Sequence, residues 1–329
     1  MGRLVASVCV FTLAATPLAA QSKKFPLEAM LEADLARFSA KTGLYVKHLT
    51  TGEEVAVRAD DDFNSYSVIK LAILARAYEL ADQKKLNLDE RYELRQTDFR
   101  GGSGVFRHHS PGLDPTIRDL LTEMVITSDN TATDILLAKV GGITPLNEWL
   151  VSKGYARTKM VQSIFDFFRR PYELRDPKNK TLTPEELLKL QTTNPLVETR
   201  EERIRREDDR NNWLGVMTPK ETGRMLEAME RGVMVSKPAS AEMKAMLLAQ
   251  QAGTRRIPHF VTVPVAHKTG DGPPIIANDV GIVYARSGPI VISFFTTNNR
   301  ELYADLEDRM GRTARLIVDY FDGYVEDRR

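Results

Sequence analysis

The stretch TIRDLLTEMVITSDNTATDILL, residues 116–137, contains two apolar helical patterns separated by three polar residues. Hydrophobic residues recur every three or four positions on each side of Ser128, Asp129 and Asn130, as they do in helices that pack on a core. These residue types are preferred at helix N-caps, so a capped break between helices explains them structurally. The functional interpretation makes Ser128 a proton relay to a leaving group and Asn130 an amide donor to a substrate carbonyl.

An upstream helix raises a chemical question. In FNSYSVIKLAILARAYEL, residues 63–80, the chain from Ser67 onward predicts a helix that is apolar on almost every side and therefore buried. Ser67 and Lys70 are three positions apart, so their side chains lie on the same helix face. A buried lysine is easily deprotonated and can be the base that a serine nucleophile needs. The alternative is a lysine that extends to solvent beside an ordinary serine.

A third short pattern lies in VAHKTGDGPP, residues 265–274. Lys268, Thr269 and Gly270 end a predicted strand that should border a cleft. An ammonium group and a hydroxyl suit a substrate carboxylate, and glycine permits close approach to the backbone. Taken alone, this triplet also fits any strand end that is followed by a turn.

The N-terminal stretch MGRLVASVCVFTLAATPLAAQ is typical of a secretory signal peptide. Arg3 precedes an apolar run that is too short for a convincing transmembrane helix. We expect residues 1–20 to be removed, and the mature protein to be secreted or periplasmic with no membrane contact. The single cysteine, Cys9, lies in this stretch, which excludes disulfides and a thiol nucleophile from the mature chain.

Charge and composition narrow the range of partners. The 329 residues include 46 basic and 45 acidic side chains, for a formal net charge of +1. This balance gives no electrostatic argument for nucleic acid or an anionic membrane as a partner. His108 and His109 are adjacent, and no cluster has the spacing of metal ligands, so we expect no metal and no other cofactor. We expect a monomer.

Strand patterns occur at both ends of the chain, with helices between them. A helix over Leu27–Lys41 precedes a hairpin that turns at Thr50–Glu53, and a final helix runs from about Tyr303 to Tyr320. Three further strands are predicted at residues 263–270, 278–286 and 289–297. The pattern predicts an α+β fold: an antiparallel sheet flanked by the terminal helices, an all-helical lobe, and a site in the cleft between them.

The expected α/β lobe is discontinuous and comprises residues 21–62 and 213–329. The helical lobe then covers residues 63–212. From about Ile164 to Asn212 its periodicity gives way to charge and proline, which favours a solvated insertion.

Ser-x-x-Lys, Ser-Asp-Asn and Lys-Thr-Gly are found together in class A β-lactamases and penicillin-binding proteins. Here they occur in this order, on a helix start, a helix break and a strand end. The stretches GGSGVF, TIRDLLTEMVITSDNTATDILL and HKTGDGPPIIANDVGIVYAR also resemble class A β-lactamase sequence almost throughout. The resemblance covers the mature chain apart from about residues 164–212. It implies the β-lactamase/transpeptidase-like fold and a serine hydrolase that acts on a small β-lactam or a cell-wall peptide analogue.

The resemblance also implies roles in acylation. Ser67 would be the acylated nucleophile and Lys70 its proton acceptor. Ser128 would pass the proton to the β-lactam nitrogen, and Asn130 would hold the side-chain amide of the substrate.

A second group would bind the rest of the substrate. Lys268 and Thr269, followed by Gly270, would hold its carboxylate. The backbone N–H groups of Ser67 and Asp271 would form the oxyanion hole, where donors typically contribute about 2 to 4 kcal/mol each.

One family motif is missing. Class A enzymes carry a Glu-x-x-Leu-Asn motif whose glutamate activates the water that hydrolyses the acyl-enzyme, and this chain lacks it. Asp166 is the best-placed acid by distance along the chain, and Glu173 is the next. Three hypotheses therefore stay open: a β-lactamase, a penicillin-binding peptidase or esterase-like hydrolase, and a binder that β-lactams acylate without turnover.

Overall fold

Strands from both ends of the chain form one sheet in the structure, a computed structural model that describes residues 26–323. The strands are β1 (Lys41–His48), β2 (Glu54–Val57), β3 (Phe63–Asn64), β4 (Lys159–Met160), β5 (Gly215–Met217), β6 (Val265–Gly272), β7 (Ile276–Ala285) and β8 (Gly288–Thr297). Five of them form an antiparallel sheet in the order β2-β1-β8-β7-β6. The other three form a short sheet in the order β3-β5-β4. The predicted signal peptide lies outside the described residues.

The register confirms the predicted pairing of the terminal strands. β1 lies antiparallel to β8, with Leu44 opposite Phe294, and β1 and β2 form the predicted hairpin. Gly52 in the hairpin turn has a φ of 78°, a left-handed conformation that glycine adopts without strain.

The helices are α1 (Leu27–Leu35), α2 (Lys70–Asp82), α3 (Ile117–Ile126), α4 (Asn130–Lys139), α5 (Ile143–Ser152), α6 (Ile164–Arg175), α7 (Pro184–Thr193), α8 (Arg200–Glu207), α9 (Pro219–Glu230), α10 (Lys237–Leu248) and α11 (Tyr303–Phe321). The predicted first helix is too long, because Lys41 already belongs to β1, where it lies opposite Thr297. Helix α10 was not predicted.

Two hydrophobic cores hold these elements together. The first lies between the sheet and the terminal helices, where Leu31, Ile292 and Met310 are each fully buried. The second surrounds α2 and extends through α3, α4, α5, α9 and α10 to the opposite face of the sheet. This arrangement confirms the predicted α+β fold and places the start of α2 beside β6. No helix within residues 26–323 is long and apolar enough to cross a membrane.

Residues 164–212, called the cap segment below, are more ordered than the predicted insertion. They form α6, α7 and α8, and each of these helices begins with a side-chain cap. Thr183 and Glu186 form a capping box at α7, and Thr199 and Glu202 form one at α8. The cap segment is partly solvent-exposed, but its inner side chains line the cavity described next.

Candidate active site

Ser67 lies on a short 3₁₀ turn, Tyr66–Ile69, that leads directly into α2. The sequence predicted a continuous helix here. Tyr66 has a φ of 46°, an unusual conformation for a residue other than glycine, and such strain is characteristic of functional sites. The turn buries Val68 and Ile69 and leaves Ser67 partly exposed on the wall of a cavity of about 920 Å³.

Lys70 is fully buried at the start of α2 and does not extend to solvent. Its Nζ donates to the backbone oxygen of Ser128 at 2.7 Å, to Ser128 Oγ at 3.1 Å and to Asn130 Oδ1 at 2.9 Å. Burial, and next the ammonium group of Lys268, hold the pKa of Lys70 well below its ordinary value. Lys70 is therefore suited to act as a base.

Lys268 reaches the same hydroxyl from β6. It is also fully buried, and its Nζ donates to Ser128 Oγ at 3.0 Å and to the backbone oxygen of Thr269 at 3.0 Å. Burial lowers the pKa of Lys268 to about 8, although the Asp271 carboxylate opposes this shift. The Ser128 hydroxyl thus bridges two lysines, so a proton can pass through it between them.

The polar residues 128–130, between α3 and α4, divide between two roles: one caps a helix and the other two face the cavity. Asp129 is the N-cap of α4, accepts from Ala132 N at 2.8 Å, and accepts from Phe106 N at 2.8 Å. Ser128, with a φ of 57°, and Asn130 instead line the cavity.

The Lys-Thr-Gly residues follow one another along β6, and all three are buried. Gly270 is required because a Cβ at this position would collide with the backbone oxygen of Ser65, in the turn that presents Ser67. This glycine therefore lets β6 lie directly against the nucleophile turn. From the sequence, this glycine was expected to let a substrate approach the backbone closely.

Asp271 lines the cavity, but its carboxylate is held by protein groups. It accepts from the guanidinium of Arg256, which is 1% exposed, and from Tyr303 Oη at 3.2 Å. Burial alone would raise the pKa of Asp271, but Arg256 outweighs burial and lowers it. Nothing in the sequence around Arg256 marks it as a partner of this residue, because the pairing joins the loop before β6 to the end of that strand.

The two acids proposed for deacylation do not reach the cavity. Asp166 lies in the first turn of α6, where it accepts from Ser163 Oγ at 2.7 Å and pairs with Arg169 at 2.8 Å. Glu173 pairs with Arg170 at 3.2 Å. Neither lines the cavity that contains Ser67. Both carboxylates are instead engaged by arginines of their own helix, α6.

Among the described residues that line the cavity, the acids are Asp271 and Glu198. Glu198 forms a two-point ion pair with Arg206, with both N–O distances 3.0 Å. Both carboxylates are therefore engaged by arginines, which makes them weak candidates for a base that activates water.

A buried glutamate that the sequence did not single out lies just behind the nucleophile turn. Glu207, 4% exposed, accepts from Tyr66 Oη at 2.8 Å and from Asn64 Nδ2 at 2.7 Å. Burial raises the pKa of Glu207, while these two hydrogen bonds oppose the shift. Glu207 thus links the end of α8 to Tyr66, which directly precedes Ser67.

Over residues 26–323 no group of three or more histidine, cysteine, aspartate or glutamate side chains is placed to hold a metal ion. Ser67 is partly exposed on the cavity wall, and two buried lysines share the hydroxyl of Ser128, which lines the same cavity. Such groups can activate a serine nucleophile.

Comparison with known proteins identifies the family. The chain belongs to the β-lactamase enzyme family, whose sequence model matches residues 26–321.

One curated relative is β-lactamase L2 of Stenotrophomonas maltophilia, which is 30% identical over 188 residues. That match covers 55% of this chain and 60% of the relative, so the chain matches less than two thirds of the relative's length.

Solved structures show the same fold. A β-lactamase from Sphaerobacter thermophilus superposes with a TM-score of 0.70 at 24% identity, covering 91% of this chain and 98% of the other. A β-lactamase from Chitinophaga pinensis superposes with a TM-score of 0.71 at 20% identity, covering 89% and 98%. An ancestral class A β-lactamase gives a TM-score of 0.70 at 23% identity, covering 89% and 99%.

Proposed function

We propose that this protein hydrolyses β-lactams through an acyl-enzyme on Ser67. The observation that carries the proposal is the Ser128 hydroxyl, which receives hydrogen bonds from Lys70 at 3.1 Å and Lys268 at 3.0 Å. This geometry offers a proton route to a leaving group, and it starts from a lysine with a lowered pKa three residues after Ser67.

In the proposed acylation, neutral Lys70 accepts the proton of the Ser67 hydroxyl as Oγ attacks the β-lactam carbonyl carbon. The backbone N–H groups of Ser67 and Asp271 stabilise the oxyanion. The carbon–nitrogen bond of the ring then breaks. Ser128 gives its proton to the ring nitrogen and regains one from Lys70, which returns to the neutral state.

Substrate binding in this proposal depends on charge. The β-lactam carboxylate would lie against the Lys268 ammonium group and the Thr269 hydroxyl. Both groups are fully buried behind the cavity lining, so they would have to become accessible when the substrate binds. Asn130 would hold the side-chain amide, after exchanging its Nδ2 contact with Gly101 O, now 2.9 Å. The N-terminal sequence pattern supports export of the protein, and we propose that it acts as a monomer on small β-lactams.

A second candidate, acylation without efficient turnover, is favoured by one observation. Both acids that line the cavity are paired with arginines, while Asp166 and Glu173 lie outside its lining. Hydrolysis of the acyl-enzyme needs a base within hydrogen-bond reach of a water molecule. If the protein is a β-lactamase, the base that activates this water is therefore another group, or one of these four carboxylates after it has left its present ion pair.

The experiment that separates the candidates is intact-mass spectrometry after mixing the protein with benzylpenicillin, followed over time. A transient adduct with stoichiometric excess of hydrolysed penicillin supports the β-lactamase proposal. A persistent one-to-one adduct supports capture without turnover. Absence of any adduct contradicts both.

A further inference from the structure

Tyr66 begins the turn that presents Ser67, and its backbone has a conformation that tyrosine seldom adopts. Its φ of 46° lies in the left-handed region, where a side chain other than glycine is strained. Such a conformation persists only where the surrounding structure holds it. Because one planar peptide unit joins Tyr66 to Ser67, the backbone torsions of Tyr66 orient the N–H group and the Cα of Ser67. The contacts that hold Tyr66 therefore also set the geometry of the nucleophile.

Two neighbours confine the ring of Tyr66 by packing. A Cβ at Gly272, on β6, would lie 2.5 Å from Tyr66 Cζ, so the strand fits against the ring only because this residue is glycine. On another side, the Phe167 ring of α6 meets the Tyr66 ring edge to face, with centroids 5.4 Å apart. These contacts limit the space around the ring without binding its hydroxyl group.

The hydroxyl group is held by Glu207, the last residue of α8. Tyr66 Oη donates to Glu207 Oε1 at 2.8 Å, and Asn64 Nδ2 donates to Glu207 Oε2 at 2.7 Å. Both carboxylate oxygens thus bind residues in the chain that leads to Ser67. Tyr66 is 5% exposed and Glu207 is 4% exposed, so bulk water does not replace the bond between them. Burial, and next the Glu207 carboxylate, raise the pKa of Tyr66 well above its ordinary value, so the phenol keeps the proton that it donates.

The surroundings of Glu207 are themselves fixed. Its backbone oxygen accepts from Trp213 Nε1 at 2.7 Å, and Asn64 Oδ1 accepts from the backbone N–H of Leu214 at 3.2 Å. Both donors lie just before β5, and β5 pairs with β3 at Asn64. Glu207 is therefore a fixed point to which the Tyr66 hydroxyl is attached.

We propose that Glu207 is a positioning residue for acylation: through the Tyr66 hydroxyl it holds the turn in which Ser67 is aligned for attack. This inference rests on the proposed acylation of Ser67. Glu207 does not line the cavity, so it acts through Tyr66 and not by contact with the substrate. Loss of this anchor lets Tyr66 relax toward a negative φ and moves Ser67, and a displacement of about 1 Å in a reacting group can cost about 100-fold in rate.

The test separates binding of benzylpenicillin from the acylation step. Intact-mass spectrometry of quenched-flow samples, over a range of benzylpenicillin concentrations, gives the limiting acylation rate constant and the dissociation constant of the noncovalent complex. Tyr66→Phe keeps the ring and deletes the hydroxyl. It should lower the limiting rate constant at least about tenfold and leave the dissociation constant within about threefold. A hydroxyl that only stabilised the fold would change the unfolding temperature and not the rate constant of the folded protein.

Variants of Glu207 connect this effect to the carboxylate. Glu207→Ala removes the anchor and should slow acylation as much as Tyr66→Phe does. The double variant should be no slower than the slower single variant, because both changes delete the same hydrogen bond. Glu207→Gln should stay within about threefold of the wild-type rate constant, since its Oε1 can accept from Asn64 while its Nε2 donates to Tyr66 Oη.

Tyr155→Phe is the matched control. Tyr155 is also a buried tyrosine, its hydroxyl contacts Met234 Sδ at 3.6 Å, and it lies outside the cavity lining. This variant should keep the wild-type limiting rate constant.

The outcomes are distinct. A wild-type limiting rate constant in folded Tyr66→Phe, or a Glu207→Gln variant as slow as Tyr66→Phe, overturns the positioning role while the acylation itself stands. If the wild-type protein forms no adduct, the proposed function fails and the positioning role fails with it. Thermal unfolding followed by circular dichroism shows whether each variant is folded, and Tyr66→Phe and Glu207→Gln decide if Glu207→Ala is not.

Discussion

The protonation of Lys268 should limit acylation on the alkaline side. With a pKa of about 8, its ammonium group is mostly charged at neutral pH and is lost as the pH rises above 8. The neutral amine no longer attracts the substrate carboxylate, so the acylation rate constant should fall about tenfold per pH unit well above this point. Lys70 acts in its neutral form, which its lowered pKa favours.

Asp271 should control the pH at which the acylation rate constant begins to fall on the alkaline side. Its carboxylate raises the pKa of Lys268, and Asp271→Asn removes that charge while keeping the backbone N–H of the oxyanion hole. The pKa of Lys268 should therefore fall below about 8, and the alkaline limb should move to lower pH. Asp308→Asn is the control, because Asp308 pairs with Arg255 at 2.8 Å on the surface and does not line the cavity.

The assay is the burst phase of a chromogenic cephalosporin, recorded by stopped flow from about pH 5 to pH 10. The rate constant should fall on the alkaline side as Lys268 loses its proton, and on the acid side wherever Lys70 becomes protonated. A rate constant that stays flat to pH 10, or a limb that moves to higher pH in Asp271→Asn, would refute the assignment of Lys268 as the charged partner of the substrate.

Three further outcomes are expected. Lys70→Arg keeps a cation but no base, so the acylation rate constant measured by intact-mass spectrometry should fall by about two to four decades, and a wild-type rate would make Lys70 merely structural. Asp166→Asn and Glu173→Gln should leave the steady-state rate with the cephalosporin within about twofold, since neither carboxylate lines the cavity; selective loss of the steady phase in either would restore it as the base. Glu207→Ala should lower the free energy of unfolding, measured in urea, by about 2 to 4 kcal/mol, because Tyr66 and Asn64 lose a buried acceptor. The control is Glu201→Ala: Glu201 is exposed, so this free energy should change by less than about 0.5 kcal/mol. Equal effects of the two glutamate variants would contradict that role for Glu207.

The local patterns predicted much of the framework. Alternation on each side of Gly52 gave the first hairpin, and the strand pattern that contains Lys268 gave β6. The apolar helix after Ser67 correctly implied a buried lysine, because a helix that is apolar all round leaves no path to solvent.

The structure of the cap segment was harder to predict, although its sequence contains local signals for helix starts. Thr183 with Glu186 and Thr199 with Glu202 have the spacing of capping boxes, which could have predicted the starts of α7 and α8. The high charge of the segment masked this pattern. Ser163 caps α6 in a similar way.

The placement of the acids depended on contacts between distant parts of the chain. Asp166 accepts from the Ser163 hydroxyl that caps α6, while Glu207 meets Asn64 across 143 positions of sequence. Arg256 meets Asp271 only because the loop before β6 folds against α11 and the strand end. Such pairs follow from the assembled fold, and periodicity along one segment carries no information about them.

The central claim is that Ser67 forms the covalent bond. The most direct measurement is peptide mapping of the benzylpenicillin adduct by tandem mass spectrometry, with Ser67→Ala as the control and thermal unfolding to confirm that this variant is folded. The account predicts one acylated residue, Ser67, and no adduct in folded Ser67→Ala. An adduct on any other residue, or labelling that survives in Ser67→Ala, would contradict it.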